Sequence, residues 1–205
     1  GRMYIWDTAT GQNLRSIEQA GLTSLSWSPD GMQLASGSQD GTIITWDAAT
    51  GQSLSTLIGH TDLVYSMAWS PDGAHIAFFS ARGVARELFI MRADGSEALR
   101  LTSDGTEKGP RVAWSPDGSC LAFHAYRDRT AGIYIVNADG TGLRQISFNQ
   151  SHDLDPSVLD DGRIVFSRWE NAGRNNEINL YAVRPDGTQL ELLYGAQSHS
   201  TGTDE

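Results

Sequence analysis

The sequence predicts an all-β chain built from repeated four-stranded antiparallel units. Two families of glycine-containing turns alternate along the chain, and members of each family recur every 40 to 47 residues. The segments between the turns are short and rich in β-branched and aromatic residues, whereas no stretch has a helical period. Two kinds of hairpin within one period indicate a repeating meander of four strands.

The first turn family has the sequence Trp-Ser-Pro-Asp-Gly. It occurs three times, and Val158-Leu-Asp-Asp-Gly162 is a degraded fourth copy; the turns end at Gly31, Gly73, Gly118 and Gly162. Proline presets φ at the second position of the turn, and glycine takes the positive φ that closes a bulged hairpin. These segments are therefore predicted to join the first two strands of each unit, strands a and b.

The second turn family lies between copies of the first. Its sequences are Ala-Thr-Gly in the first two copies and Asp-Gly in the later three, ending at Gly11, Gly51, Gly95, Gly140 and Gly187. Because this family alternates with the first at the same period, it is predicted to join strands c and d.

The segments between the turns are predicted to be strands. In the first complete unit we expect strands a to d at 22–27, 33–38, 42–46 and 53–57. Later b strands are expected to include 76–79, 121–124 and 164–166, and later c strands 88–90, 133–135 and 179–181.

Composition excludes several classes of partner. The 205 residues are 39% hydrophobic and 20% charged, with a formal net charge of −10. That net charge argues against a nucleic-acid partner, because binding to nucleic acid depends on Lys and Arg side chains that neutralise phosphates. No apolar run approaches the roughly 18 residues of a membrane span, so no membrane insertion is expected.

The repeats resemble two known families. Trp6-Asp7, Trp46-Asp47 and Gly59-His60 are similar to the signatures of WD40 repeats, whereas Trp114-Ser-Pro-Asp-Gly118 and Ile133-Tyr-Ile-Val-Asn-Ala-Asp-Gly140 resemble the TolB-type, or PD40, repeats of bacterial proteins. Both resemblances imply a β-propeller, in which each four-stranded antiparallel sheet is a radial blade.

The resemblance implies one propeller segment, an incomplete arc of about four and a half blades. We expect a half blade at 1–18, blades at about 22–57, 63–101, 111–147 and 155–194, and a tail or next repeat at 195–205. The half blade leaves an exposed sheet edge. We therefore expect the remainder of the propeller to lie outside this sequence.

Several aromatic residues are expected to be structural. In WD40 repeats a strand-c Trp bonds a buried hydroxyl, which here implies Trp46 with Ser36 or Ser38, although no blade carries the complete network. Trp6, Asp7 and Asp47 complete the family signature. Trp27, Trp69 and Trp114 recur at the end of strand a, which predicts packing between neighbouring blades.

No catalytic or cofactor motif is present. Gly-x-Ser-x-Gly, His-Glu-x-x-His, Cys-x-x-Cys and Gly-x-x-x-x-Gly-Lys are all absent, so we expect no enzyme activity and no cofactor. His152, Asp153 and Asp155 carry metal-ligand atoms, but an ordinary loop before Pro156 is the favoured interpretation and no metal site is predicted.

Charge and loop length point to one face of the propeller. The a-to-b and c-to-d turns share one face, here called the turn face, which receives aspartates; the b-to-c and d-to-a connections share the other, here called the loop face. The first-turn and second-turn glycines of successive complete blades are 20, 22, 22 and 25 residues apart, so the additional residues of the later blades are expected between strands b and c. The residues predicted to bind a partner are placed in the b-to-c loops, where their side chains can be exposed: Arg82, Arg86, Arg127, Arg129, Arg168, Trp169 and Arg174.

The function predicted is a non-catalytic scaffold that binds a protein or other ligand through its loop face. The alternative is the accessory propeller of a larger enzyme, either prolyl-peptidase-like or a haem-bearing PD40 redox protein. The TolB-like resemblance implies a bacterial protein of the periplasm or one that is secreted, with the cytoplasm as the alternative.

Overall fold

The chain forms separate antiparallel sheets, which confirms the predicted fold class. The computed structural model describes residues 1–57, 62–81, 85–172 and 175–195. Within those ranges there are eighteen strands and no helix. Accordingly, no helix in this part of the chain is long and apolar enough to cross a membrane.

Every four-stranded sheet is a meander whose strands follow chain order. The half blade, blade 1, contains β1 (Arg2–Trp6) and β2 (Asn13–Glu18). Blade 2 contains β3 (Leu22–Trp27), β4 (Gln33–Ser38), β5 (Ile43–Asp47) and β6 (Ser53–Leu57). Blade 3 contains β7 (Val64–Trp69), β8 (His75–Ser80), β9 (Glu87–Arg92) and β10 (Leu99–Arg100).

The last two blades have longer inner hairpins. Blade 4 contains β11 (Lys108–Trp114), β12 (Cys120–Arg127), β13 (Thr130–Asn137) and β14 (Arg144–Gln145). Blade 5 contains β15 (His152–Val158), β16 (Ile164–Ala172), β17 (Asn175–Val183) and β18 (Glu191–Tyr194).

The extra residues between strands b and c extend the strands instead of lengthening a loop. β16 pairs with β17 as far as Ala172 opposite Asn175, and it pairs with β15 as far as Trp169 opposite His152. Because β16 is longer, β15 pairs with it from His152 onwards, ahead of the start expected at 155. Arg168 and Trp169, placed in a loop by the sequence analysis, are therefore strand residues.

Side chains within the Ser-Pro-Asp-Gly turn satisfy its backbone. Ser28 Oγ donates to Asp30 Oδ1 at 2.6 Å and accepts from the Gln33 amide at 2.9 Å. The same serine-to-aspartate bond recurs in blades 3 and 4, from Ser70 and from Ser115. The motif recurs because each copy closes the same hairpin.

The apolar core lies between neighbouring blades. Phe79 of blade 3 and Phe123 of blade 4 are fully buried with their ring centroids 6.0 Å apart in an edge-on arrangement. Burying one such ring contributes about 2 kcal/mol or more. The blades are thus held together largely by side chains that alternate along each strand.

A repeated glycine contact also joins the blades. The second-turn glycine of each complete blade lies beside an aliphatic residue at or next to the end of strand d of the preceding blade. The four pairs are Gly51 with Ile17, Gly95 with Leu57, Gly140 with Leu101, and Gly187 with Ile146.

The arc is open at both ends, because the described sheets do not join into a ring. Trp69 is 9% exposed, and Trp114 Nε1 donates to the Ala68 carbonyl of blade 3 at 3.0 Å. Trp27 is 48% exposed, because blade 1 has no strand a to cover it. The expectation that Trp27 packs between two blades is therefore wrong for this chain.

Candidate interaction surface

The turn face is acidic because its aspartates close turns. Each accepts hydrogen bonds from within its own turn, and these bonds hold the pKa of the carboxyl below its usual value. In Asp117, bonds from Ser115 and Ser119 lower the pKa to about 2. The aspartates that share this behaviour are Asp7, Asp30, Asp47, Asp72, Asp94, Asp117, Asp139, Asp161 and Asp186.

The predicted arginines of the loop face have different environments. Arg86 Nε donates to Glu107 Oε1 at 2.6 Å, and its guanidinium lies 4.8 Å from the centre of the Tyr65 ring. Arg127 and Arg129 are exposed at the tip of the β12–β13 hairpin and have no ion pair within the described residues. Arg82 and Arg174 lie outside the described residues.

Arg168 is a buried partner of Asp153. It is 8% exposed, and its Nε and Nη2 atoms donate to the two carboxylate oxygens of Asp153 at 2.7 and 3.0 Å. Its guanidinium also lies 4.6 Å from the centre of the Tyr181 ring. Burial alone would lower the pKa of Arg168, but the hydrogen bond and charge of Asp153, with smaller contributions from Tyr181 and Glu170, more than offset this and raise the pKa. The expected exposure of this guanidinium is therefore wrong.

Two histidines form reciprocal hydrogen bonds across the junction of blades 4 and 5. The Asp155 amide of blade 5 donates to His124 Nδ1 of blade 4 at 3.1 Å, and the Ala131 amide of blade 4 donates to His152 Nδ1 of blade 5, also at 3.1 Å. Accepting these bonds requires neutral imidazoles that carry their protons on Nε2. Burial lowers the pKa of His124 and thereby favours the neutral form.

The candidate metal ligands do not converge. Asp153 is held by Arg168, His152 accepts from the Ala131 amide, and Asp155 lies 3.6 Å from Arg111 Nε. Within the described ranges no three His, Cys, Asp or Glu side chains are grouped to hold a metal ion.

Three aromatic rings form a row on the loop face, here called the aromatic row: Tyr126, His152 and Trp169. The His152 ring stacks on Trp169 at 5.4 Å with an interplanar angle of 16°, and lies 6.3 Å from the Tyr126 ring. Tyr126 and Trp169 remain 37% and 39% exposed. A cleft of about 190 Å³ opens beside Trp169 and His152, with Gln150 and Ser151 on its other sides.

Trp169 was among the residues predicted to bind a partner, whereas Tyr126, which lies in the same row, was not predicted. The signal was present in the alternation of Leu121-Ala-Phe-His-Ala-Tyr126, which places His124 and Tyr126 on one side of β12. That side faces blade 5, because Ala122 packs with Ile164 and Phe166 in one apolar cluster.

A buried ionic cluster between blades 3 and 4 was also not predicted from the sequence. Lys108 is completely buried, and its Nζ lies 2.6 Å from Asp104 Oδ1 and 2.9 Å from Glu87 Oε2. Arg100 Nη2 binds the other oxygen of Glu87 at 3.0 Å. Every charge of this cluster is paired, so it fixes the d-to-a connection and is unsuited to holding a ligand.

Comparison with known proteins identifies the family. The model of the TolB beta propeller domain, PD40, matches residues 2–202. The chain belongs to the PD40 family. Among solved structures, this PD40 chain is similar to TolB from Acinetobacter baumannii, with a TM-score of 0.74 and 20% identity over 95% of the chain and 49% of TolB.

Other similar proteins match the fold or a short part of the chain. Kuenenia stuttgartiensis hydrazine synthase aligns with a TM-score of 0.75 and 18% identity, over 93% of this chain and 59% of its own. Cell division cycle 20.1, cofactor of APC complex, from Arabidopsis thaliana is 36% identical over 71 residues, which are 32% of this chain and 16% of that protein. The chain thus spans about half of TolB and a small part of this relative.

The WD40-like half of this PD40 chain keeps part of the WD40 hydrogen-bond network. Trp46 Nε1 donates to Ser36 Oγ at 2.7 Å in a buried position, and Ser38 Oγ donates to the Ala20 carbonyl at 3.1 Å. That carbonyl lies in the Ala20-Gly21 dipeptide, which stands where WD40 repeats have Gly-His. A main-chain atom therefore accepts the bond from this serine.

Proposed function

We propose that this PD40 chain is a non-catalytic scaffold that binds a protein partner through its loop face, around the aromatic row. The observation that carries the proposal is the half-exposed Trp169, fixed against His152 beside a cleft. Exposed aromatic side chains held in one conformation are frequent anchors of protein interfaces.

The contrast between the two faces supports this choice. The nine turn-face aspartates already accept bonds within their own turns, whereas Arg127 and Arg129 project from the loop face beside Tyr126. Arg168 contributes indirectly, since its buried pair with Asp153 fixes the strand that carries Trp169. Association with a partner also agrees with the description of one relative as a cofactor of a complex.

A second candidate is the accessory propeller of a larger enzyme. The likeness to hydrazine synthase favours it, although at 18% identity that likeness supports the fold alone. The sequence of the gene on both sides of these residues distinguishes the two candidates, because the second requires an adjoining catalytic or haem-binding domain.

We also infer a periplasmic location, on the basis of the family and the likeness to TolB. Fractionation of cells of the source organism tests this. Recovery of the protein only with cytoplasmic markers would contradict the inference without affecting the proposed binding surface.

Site-specific photo-cross-linking in cells of the source organism tests the scaffold proposal. A photoreactive residue replaces Arg127 on the loop face or, as the matched control, Met32, which is 69% exposed on the turn face. We expect discrete protein adducts from position 127 and few from position 32. Adducts confined to position 32, or none at either position, would contradict the proposal.

A further inference from the structure

The aromatic row presents three hydrogen-bond donors that have no partner in the described part of the chain. Because His152 Nδ1 accepts the Ala131 amide, the neutral ring carries its proton on Nε2. Within the described residues, neither that Nε2 group, nor Trp169 Nε1, nor the Tyr126 hydroxyl has a hydrogen-bond partner. A ligand that offers acceptors and flat apolar surfaces would therefore match this row.

The row is also rigid. His152 is held at one nitrogen by a main-chain bond and on one ring face by Trp169, which lies directly opposite it in the sheet. The neighbouring Arg168–Asp153 pair fixes the strands beneath, and Asn149 Nδ2 adds a 2.7 Å bond to the same carboxylate. A ligand therefore meets a preformed surface and loses little affinity to its reorganisation.

The cleft beside the row is uncharged. It is lined by Gln150, Ser151, His152 and Trp169, and no Asp, Glu, Lys or Arg side chain belongs to this lining. A strongly charged peptide would gain no partner inside it. The chemistry of the cleft instead favours a neutral segment that combines ring stacking with carbonyl acceptors.

A proline-rich segment has these properties. Proline offers a flat apolar ring and a carbonyl acceptor but has no amide N–H that would be left unsatisfied. In the polyproline II conformation, successive residues advance about 3.1 Å, so residues three apart lie about 9 Å apart on one side. The Tyr126 and Trp169 rings lie 6.3 and 5.4 Å from the His152 ring between them, so prolines three residues apart can each contact one of the two outer rings.

We propose that the aromatic row binds an extended proline-rich segment of the partner protein in the polyproline II conformation. This inference rests on the proposed scaffold function and specifies the chemistry of its partner. Proline rings pack on Trp169 and Tyr126, and peptide carbonyls accept bonds from His152 Nε2 and Trp169 Nε1. Aromatic-lined grooves are a general way of recognising such segments, because polyproline II is already ordered before binding.

Fluorescence anisotropy with two labelled peptides tests the proposal on the purified chain. One is a capped oligoproline of about three turns, and the other has the same length but alternates alanine with glutamine. We expect the oligoproline to bind at least about tenfold more tightly. Equal affinity of the two peptides, or no binding of either, would overturn the proposal.

Substitutions locate the bound peptide. Trp169→Ala and Tyr126→Ala should each weaken oligoproline binding about tenfold or more, as loss of an interface anchor commonly does. Trp169→Phe keeps a ring without the N–H and should give an intermediate loss. The matched control is Trp27→Ala, which removes a 48% exposed tryptophan far from the row and should leave binding unchanged.

The outcomes separate the proposal from the function on which it rests. Photo-cross-links at position 127 without any preference for oligoproline would retain the loop-face scaffold and reject the proline-rich ligand. An equal loss of affinity in Trp27→Ala would also reject the aromatic row as the site. Circular dichroism spectra check each fold, and the comparison of two peptides on the unsubstituted chain depends on no variant.

Discussion

Two neutral imidazoles hold the junction of blades 4 and 5. His124 and His152 each accept a main-chain amide from the opposite blade, so protonation of Nδ1 would replace an acceptor with a donor. The groups facing His124 are Asp155, whose charge favours protonation, and Arg86, whose charge opposes it. His152 faces the rings of Tyr126 and Trp169.

The first prediction is that mild acid destabilises this junction through His124. Its pKa is lowered in the folded chain, so the unfolded chain binds more protons over the intervening pH range. The contribution to stability is complete above the ordinary value of 6.5 and is lost as pH falls below it. The turn-face aspartates, whose pKa values are also lowered, lose their contribution only in stronger acid.

Urea unfolding followed between pH 7.5 and about pH 5 measures this effect. The control is His124→Asn, which keeps an acceptor in a similar place but does not titrate. We expect the variant to lose less stability over this interval than the unsubstituted chain. Identical pH profiles would show that His124 does not titrate at the junction.

At the scale of the element, the second turn of each complete blade packs against the preceding blade at an equivalent position in every repeat. Its glycine adopts a φ of +88° at Gly95, and a Cβ at that position would lie 2.7 Å from Leu57 Cδ2. Both the backbone conformation and the close approach therefore require glycine. Gly11 has a similar backbone, with a φ of +69°, but no atom lies within 4 Å of its Cβ position.

The second prediction separates these two requirements. Gly11→Ala should cost only the backbone strain, about 1 kcal/mol, whereas Gly95→Ala should cost about 2 to 3 kcal/mol because Leu57 must also shift. Equilibrium unfolding in urea measures both free energies. Equal losses would mean that the contact with Leu57 contributes nothing to the packing of blades 2 and 3.

At the scale of the whole molecule, apolar side chains are exposed where the arc ends. Tyr4, Trp6 and Trp27 are about half exposed at the end formed by blades 1 and 2, and Ile178 and Tyr194 are 71% and 77% exposed on blade 5. β1 pairs only with β2 among the described strands. Unpaired edges next to apolar side chains promote association between chains.

The third prediction is that this chain, in isolation, associates with itself. Sedimentation velocity from about 10 µM to about 1 mM should show an average mass that rises with concentration. Tyr4→Lys combined with Trp27→Lys should reduce the rise. The control is Phe148→Lys, which removes a 75% exposed ring outside both ends. A constant monomer mass over the whole range would contradict the prediction.

The sequence determined the architecture of this protein because short motifs of neighbouring residues specify the turns of each repeat. Ser-Pro-Asp-Gly and Asp-Gly favour particular turns wherever they occur, so the order of hairpins and the alternating strands could be predicted from neighbouring residues alone. Trp46 with Ser36 was likewise predictable, since both residues occupy family positions on adjacent strands.

Only the tertiary structure decided which side chains are available on the loop face. Arg168 and Trp169 are adjacent in sequence, yet one is buried against Asp153 and the other is exposed on His152, because consecutive strand residues point to opposite sides of the sheet. Tyr126 joins them from another blade. Pairings over such distances depend on how neighbouring sheets pack, and no local pattern of residues encodes that packing.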